Sequence, residues 1–323
     1  TITIKSGATA LKHSLDNIPI DDINKSLRLS LARAVVLIKD GHFLLAKQKL
    51  QQIESKLDWN QAYTDGREGS VQADYIASKY LLALYKNENF NAEFLDKCEV
   101  ETHNYSASDG LIGFIHALKS LLYQRNSAFA RAQMEAKRSL YYYKSANSNY
   151  GIASIHLIDG LCFFARGQLE AAMLSYKLGK KIIEADFSDD PGLNAILETL
   201  ITEIKYERNE AEHDPKGLDL TIENLEKYDG WLDTYVAAYR IKVLSAIDTR
   251  NYEDAHIALD RAAILSEERS LLDIEKISAL QRTDVYLKQS DLKSAKVQYQ
   301  SYLSNSSAHE VTKQGPRMWR ESD

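Results

Sequence analysis

Residues 231–265 read WLDTYVAAYRIKVLSAIDTRNYEDAHIALDRAAIL, and their spacing decides the fold. Leu232, Tyr235, Val236, Tyr239, Val243 and Ala246 fall at the i, i+3, i+4 intervals that bring side chains onto one face of a helix. The polar run Asp248-Thr249-Arg250-Asn251 interrupts the pattern, and Tyr252, Ala255, Leu259 and Ala262 resume it. The short side chains of Ala255 and Ala262 allow a second helix to come close. The stretch predicts a helical hairpin, which cannot bury its apolar face alone and so implies neighbours of the same kind.

Those neighbours are in the sequence. Phe43-Ala46-Leu50 after Gly41, Phe129-Ala132-Ala136, Leu169-Ala172-Tyr176 after Gly167, and Leu292-Ala295-Tyr299 all repeat the offsets of Tyr252-Ala255-Leu259. Positions 132 and 172 are 40 apart, as are 255 and 295. The gaps of 86 from 46 to 132 and of 83 from 172 to 255 each leave room for one degenerate unit, placed at 75–85 with Phe90 and Phe94, and at 193–206 with 218–225. This order is the helix-turn-helix repeat of tetratricopeptide type. It predicts an all-α, tetratricopeptide-like superhelix of about seven helical hairpins over residues 1–303, with 304–323 as a linker or C-terminal tail. Residues 1–22 are polar and weakly periodic, with a break at Pro19 before a helix over 23–38. The segments 58–69 and 99–109 read as loops between hairpins. Asp190-Pro191 and Asp214-Pro215 read as N-caps followed by proline at the first helical position, and Ser106 with Asp109 and Asn251 with Asp254 as weaker capping pairs. In the tail, Trp319 between Arg317 and Arg320 is either exposed or docked on the last hairpin or a neighbouring domain.

Composition agrees with an elongated array of helices. The chain has 323 residues, only four prolines and sparse glycine, with 44% hydrophobic and 27% charged residues, and no stretch reads as a membrane span. A net charge of −6 argues against the chain as a whole being a nucleic-acid clamp. Cys98 and Cys162 each lie in or beside an apolar helical run, which predicts buried free thiols in a reducing compartment. The chain begins at Thr1 with no basic and apolar leader, so the expectation is a cytoplasmic fragment of something longer.

Catalytic motifs are missing: there is no phosphate loop, no G-x-S-x-G, no H-E-x-x-H and no paired C-x-x-C, and no two of the eight histidines sit four apart. The clusters Glu99, Glu101, His103 and Glu210, Glu212, His213, Asp214 read as solvated acidic loops, since they offer no fixed coordination geometry. No enzyme activity, catalytic residue, metal or cofactor is expected in this fragment. Tyrosine is the unusual residue, with nineteen copies. The plain reading is that it fills hairpin interfaces, as at Tyr176, Tyr252 and Tyr299. The sharper reading concerns the concave side of the superhelix, where the repeat offsets place Tyr75, Tyr85, Phe114, Gln124, Leu161, Phe164, Arg240 and Asp284. Aromatic faces with scattered polar groups suit a sugar, a small apolar ligand or a peptide.

Three segments go beyond a generic repeat. LDNIPIDDINKSLRLSLARAVVLIKDGHFLLAKQKLQQIE at 15–54 resembles the opening of the superhelical sensor domain of ATP-dependent LuxR-type transcriptional activators, with Pro19, Leu27, Arg28, Leu29, Arg33, Ala34, Gly41, Ala46 and Leu50 in the family's places. Tyr206, Glu207, Arg208, Asn209, Leu225 and Glu226 resemble a later segment, although Ala211 to Pro215 departs from the family's usual Ala-rich continuation. Tyr239 and the run RNYEDAHIALDRA resemble the hairpin after it. The resemblance covers nearly the whole chain but rests on packing motifs. It implies an inducer-sensing and self-association domain, with ATP bound elsewhere in the full-length protein and DNA bound only through a C-terminal module outside this fragment. The alternative is a tetratricopeptide scaffold that binds a protein or peptide partner in its groove.

Overall fold

The computed structural model describes residues 2–59, 70–86, 92–104, 108–210, 215–228, 230–269 and 271–308. Among them are sixteen α-helices and no strand. Two helices come first, α1 (Ile2–Asp16) and α2 (Ile20–Lys25). Seven hairpins follow: α3 (Leu27–Lys39) with α4 (Phe43–Glu54), α5 (Val71–Lys86) with α6 (Ala92–Asn104), and α7 (Asp109–Arg125) with α8 (Phe129–Ser145). Next come α9 (Asn149–Ala165) with α10 (Leu169–Asp186), and α11 (Pro191–Glu207) with α12 (Pro215–Lys227). The last two are α13 (Leu232–Asp248) with α14 (Tyr252–Arg269), and α15 (Leu272–Lys288) with α16 (Leu292–Ala308).

The first helix of each hairpin packs against its partner and against the first helix of the next hairpin, so α3, α5, α7, α9, α11, α13 and α15 form a continuous inner layer with the second helices outside it. Alanine at the repeated small position is what lets the layers close: Ala46, Ala132, Ala172 and Ala255 are 0% exposed and Ala295 is 3%. Tyr176 fills its interface completely, whereas Tyr299 is 46% exposed because no described helix follows α16 to cover it.

The turn inside the hairpins is itself repeated. Gly41, Ser127, Gly167, Asn209, Arg250 and Ser290 all have positive φ, between 52° and 80°. The amide after each donates back across the helix end, as from His42 to the Leu37 carbonyl at 2.8 Å and from Asn251 to the Ala246 carbonyl at 2.8 Å. This left-handed ending satisfies carbonyls that the last helical turn leaves open. Most residues pay for it in backbone strain, and only glycine adopts it freely. Arg250→Gly is therefore expected to stabilise the fold by about 0.5–1 kcal/mol, the relief of strain exceeding the extra freedom of the unfolded chain. A rise in the urea midpoint at unchanged slope is the measurement, and a fall would count against this account of the turn.

Several boundaries differ from the sequence reading. Residues 2–16 are helical, because Leu11 and Leu15 bury themselves with Ile23 and Val36 even though the segment is polar overall. The expected helix over 23–38 breaks at Ser26, whose hydroxyl accepts from the Leu29 amide at 3.3 Å and caps α3. Helix α6 continues through Asn104, into the stretch expected to be a loop, and Lys119 pairs with both Asp96 and Glu99 on it. Ser108, rather than Ser106, caps α7. The capping roles of Asp190 and Asn251 are as expected, with bonds to the Leu193 amide at 3.0 Å and the Asp254 amide at 3.4 Å. The proposed cap at Asp214, the loop over 60–69 and the tail 309–323 lie outside the described residues.

The superhelix winds tightly enough that non-neighbouring hairpins meet. Helix α1 packs on α3 and α9 and touches α7. Thr9 donates to Asp190, the cap of α11, at 3.1 Å, and Lys12 pairs with Asp40 at 2.7 Å. Lys39 on α3 reaches the Tyr150 hydroxyl on α9 at 3.2 Å, and Arg125 on α7 pairs with Asp233 on α13 at 3.0 Å. At the Gly41 turn a β-carbon would lie 2.8 Å from Nε of Arg269 on α14, so the first hairpin touches the sixth.

Candidate ligand-binding site

Five successive inner helices, α3, α5, α7, α9 and α11, together with Trp231 just ahead of α13, enclose a cavity of about 180 Å³. The space exists because small residues replace the usual Leu and Ile where these helices converge: Ala32, Ala77, Ser78, Ala117, Gly151 and Ser154 all line it. Gly151 has a second task, since a β-carbon there would collide with the buried ring of Tyr143. The rest of the wall is apolar, including Leu81, Leu118, Leu157 and Ile196.

Most polar groups on the wall already have partners. Arg28 pairs with Asp74 at 3.3 Å. The Ser78 hydroxyl donates to the Asp74 carbonyl at 2.8 Å and that of Ser154 to the Tyr150 carbonyl at 2.9 Å. The ammonium of Lys39 lies 3.2 Å from the Tyr150 hydroxyl and 5.6 Å from the centre of its ring. Burial raises the Tyr143 phenol well above its ordinary range, with Tyr150 adding to the rise and Ser139 and Lys39 opposing it. Trp231 is the exception, because its Nε1 is buried and finds no acceptor.

Of the residues that the repeat offsets placed on the concave side, Tyr85 and Phe114 line this cavity together. The other six are not among its lining residues. Tyr75 is 3% exposed and packs edge-on to Trp59 with ring centres 5.8 Å apart. Its phenol is raised by burial first, then by a hydrogen bond to Glu54. Leu161 and Phe164 are packed into the main apolar cluster, and Gln124 is buried with its Oε1 unsatisfied. Arg240 pairs with Glu207 at 2.7 Å, and Asp284 is half-buried on α15. The offsets missed Lys39, Tyr150 and Trp231. The available signal was the cluster of small residues on the inner helices at Ala77-Ser78 and Gly151, which marks where side chains stop filling space.

Other chemistry-bearing groups are sealed in packing. Cys98 and Cys162 are free and buried, as expected. Burial pushes the Cys162 thiol up to about 11, with Asp159 adding to the rise, and raises that of Cys98 further, so neither is a ready nucleophile. Burial also works to raise the Glu135 carboxyl, but His116 at 2.6 Å and Arg138 at 3.0 Å bring it below its ordinary value. Among the described residues no group of three or more His, Cys, Asp or Glu could hold a metal ion, and no helix is long and apolar enough to cross a membrane. No known protein family matches the chain, and no curated protein does so either.

Proposed function

We propose that this chain is the inducer-sensing arm of a cytoplasmic transcriptional regulator, with a small molecule seated in the cavity of the inner helices. The observation that carries this reading is the cavity itself, an apolar space with few polar groups, walled by five consecutive inner helices. A ligand that touches five consecutive hairpins at once favours one relative rotation of them. Occupancy thereby biases the curvature of the superhelix and couples to self-association. The resemblance to ATP-dependent LuxR-type activators supplies the context: ATP binding and DNA binding belong to modules beyond this fragment. Helix α1 lies against the same inner helices, which favours a small ligand over an extended peptide in the groove.

Thermal shift against a library of sugars and metabolites tests the reading. A true ligand at a hundredfold excess over its Kd is expected to stabilise the fold by about 2.7 kcal/mol. Phe114→Ala is expected to weaken that ligand roughly tenfold through lost apolar contact. Arg240→Ala serves as the control, with affinity unchanged. A library without hits, or a hit indifferent to Phe114→Ala, removes the cavity as the sensing site.

A further inference from the structure

The polar demand of the cavity is one-sided. Trp231 presents a buried N–H with no acceptor, and an indole N–H only donates. Lys39, 8% exposed, brings an ammonium that also only donates, with the Tyr150 hydroxyl at 3.2 Å. Among the described lining residues the ionisable charges are two cations, Arg28 and Lys39, against the carboxylate of Asp74. Asp74 is paired with Arg28, so the positive excess lies toward Lys39. A buried donor without a partner is costly, and a ligand that supplies an acceptor recovers that cost. The size is also bounded: at about 180 Å³ the space is a little larger than the roughly 150 Å³ apolar cavity that holds a benzene molecule.

We propose that the cavity selects a small monocarboxylate carrying a single aromatic or branched hydrocarbon group. The hydrocarbon packs between Phe114, Leu81 and Leu118, and the carboxylate oxygens accept from Lys39 and Trp231. This rests on the cavity being the sensing site and narrows its ligand to one chemical class. A cation is excluded by the charge excess, and a pure hydrocarbon leaves the Trp231 N–H unsatisfied.

The test titrates the chain with benzoate and phenylacetate, and in parallel with benzamide and phenylacetamide, which keep shape and a carbonyl acceptor but lose the charge. Binding is read by calorimetry and tryptophan fluorescence. The acids are expected to bind at least roughly tenfold more tightly than their amides. Lys39→Met removes that preference and Lys39→Arg keeps it, with far-UV circular dichroism verifying that both variants fold. Trp231→Phe weakens acid and amide alike, by roughly three- to tenfold. Equal affinity for acids and amides, a preference that survives Lys39→Met, or no binding by either set overturns the proposal. The cavity as sensing site is judged separately, by the library and Phe114→Ala.

Discussion

Asp233→Ala is expected to cost about 3–5 kcal/mol of stability, because it leaves a buried guanidinium without its carboxylate. The side chains of Arg125 and Asp233 are only 9% and 6% exposed, and their 3.0 Å contact joins α7 to α13 across the superhelix. A surface pair in the same position would be worth little, since water replaces either partner. Here the cost is the stranded charge rather than the attraction lost. Arg125→Met with Asp233→Leu together is therefore expected to be near neutral, far from the sum of the two single losses. Urea unfolding of the four members of this cycle provides the measurement. A single mutant that loses less than about 1 kcal/mol would show that water reaches the pair.

The second large effect lies between α9 and α10. Tyr176 is 0% exposed, and its ring lies where a β-carbon on Gly160 would stand. Tyr176→Ala is expected to lose about 3–5 kcal/mol, through lost contact and the void left behind. Gly160→Ala supplies the sharper result. On an open helix the change would gain about 1 kcal/mol from helix propensity. Here the added methyl meets the Tyr176 ring in a sealed interface, and overpacking of this kind costs about 1–3 kcal/mol, so the net effect is destabilising. In the Tyr176→Ala background the obstruction is gone, and Gly160→Ala is expected to become stabilising. Persistence of the original sign in the double mutant refutes the close approach as the cause.

The hairpins were legible because each is a local pattern. An apolar face at helical spacing and an alanine where two helices touch are both visible within about forty residues, and the hairpins from Phe43, Phe129, Leu169, Tyr252 and Leu292 stand where those positions put them. Helix α1 was not legible, since only Leu11 and Leu15 of its described residues are buried apolar side chains, and what they pack on is set by tertiary structure. Helix α6 was hidden by its acidic end, which reads as loop until Lys119 supplies the partner. The cavity was the least legible feature. Tyr85 and Phe114 follow from helical phase, but the approach of Lys39 to Tyr150 joins residues 111 apart in the chain, and no repeat offset encodes it.

The contacts between distant hairpins carry a consequence for cooperativity. In a solenoid held together only by adjacent repeats, stability grows with length and the ends open first. In this molecule Gly41 lies against Arg269, and α1 lies across α3 and α9, so the first hairpin cannot detach without uncovering later ones. The loss of a terminal unit is thereby tied to the loss of the middle. Slow amide exchange in α3 and α9 then draws on one shared opening free energy, in the manner of a compact domain rather than a stack.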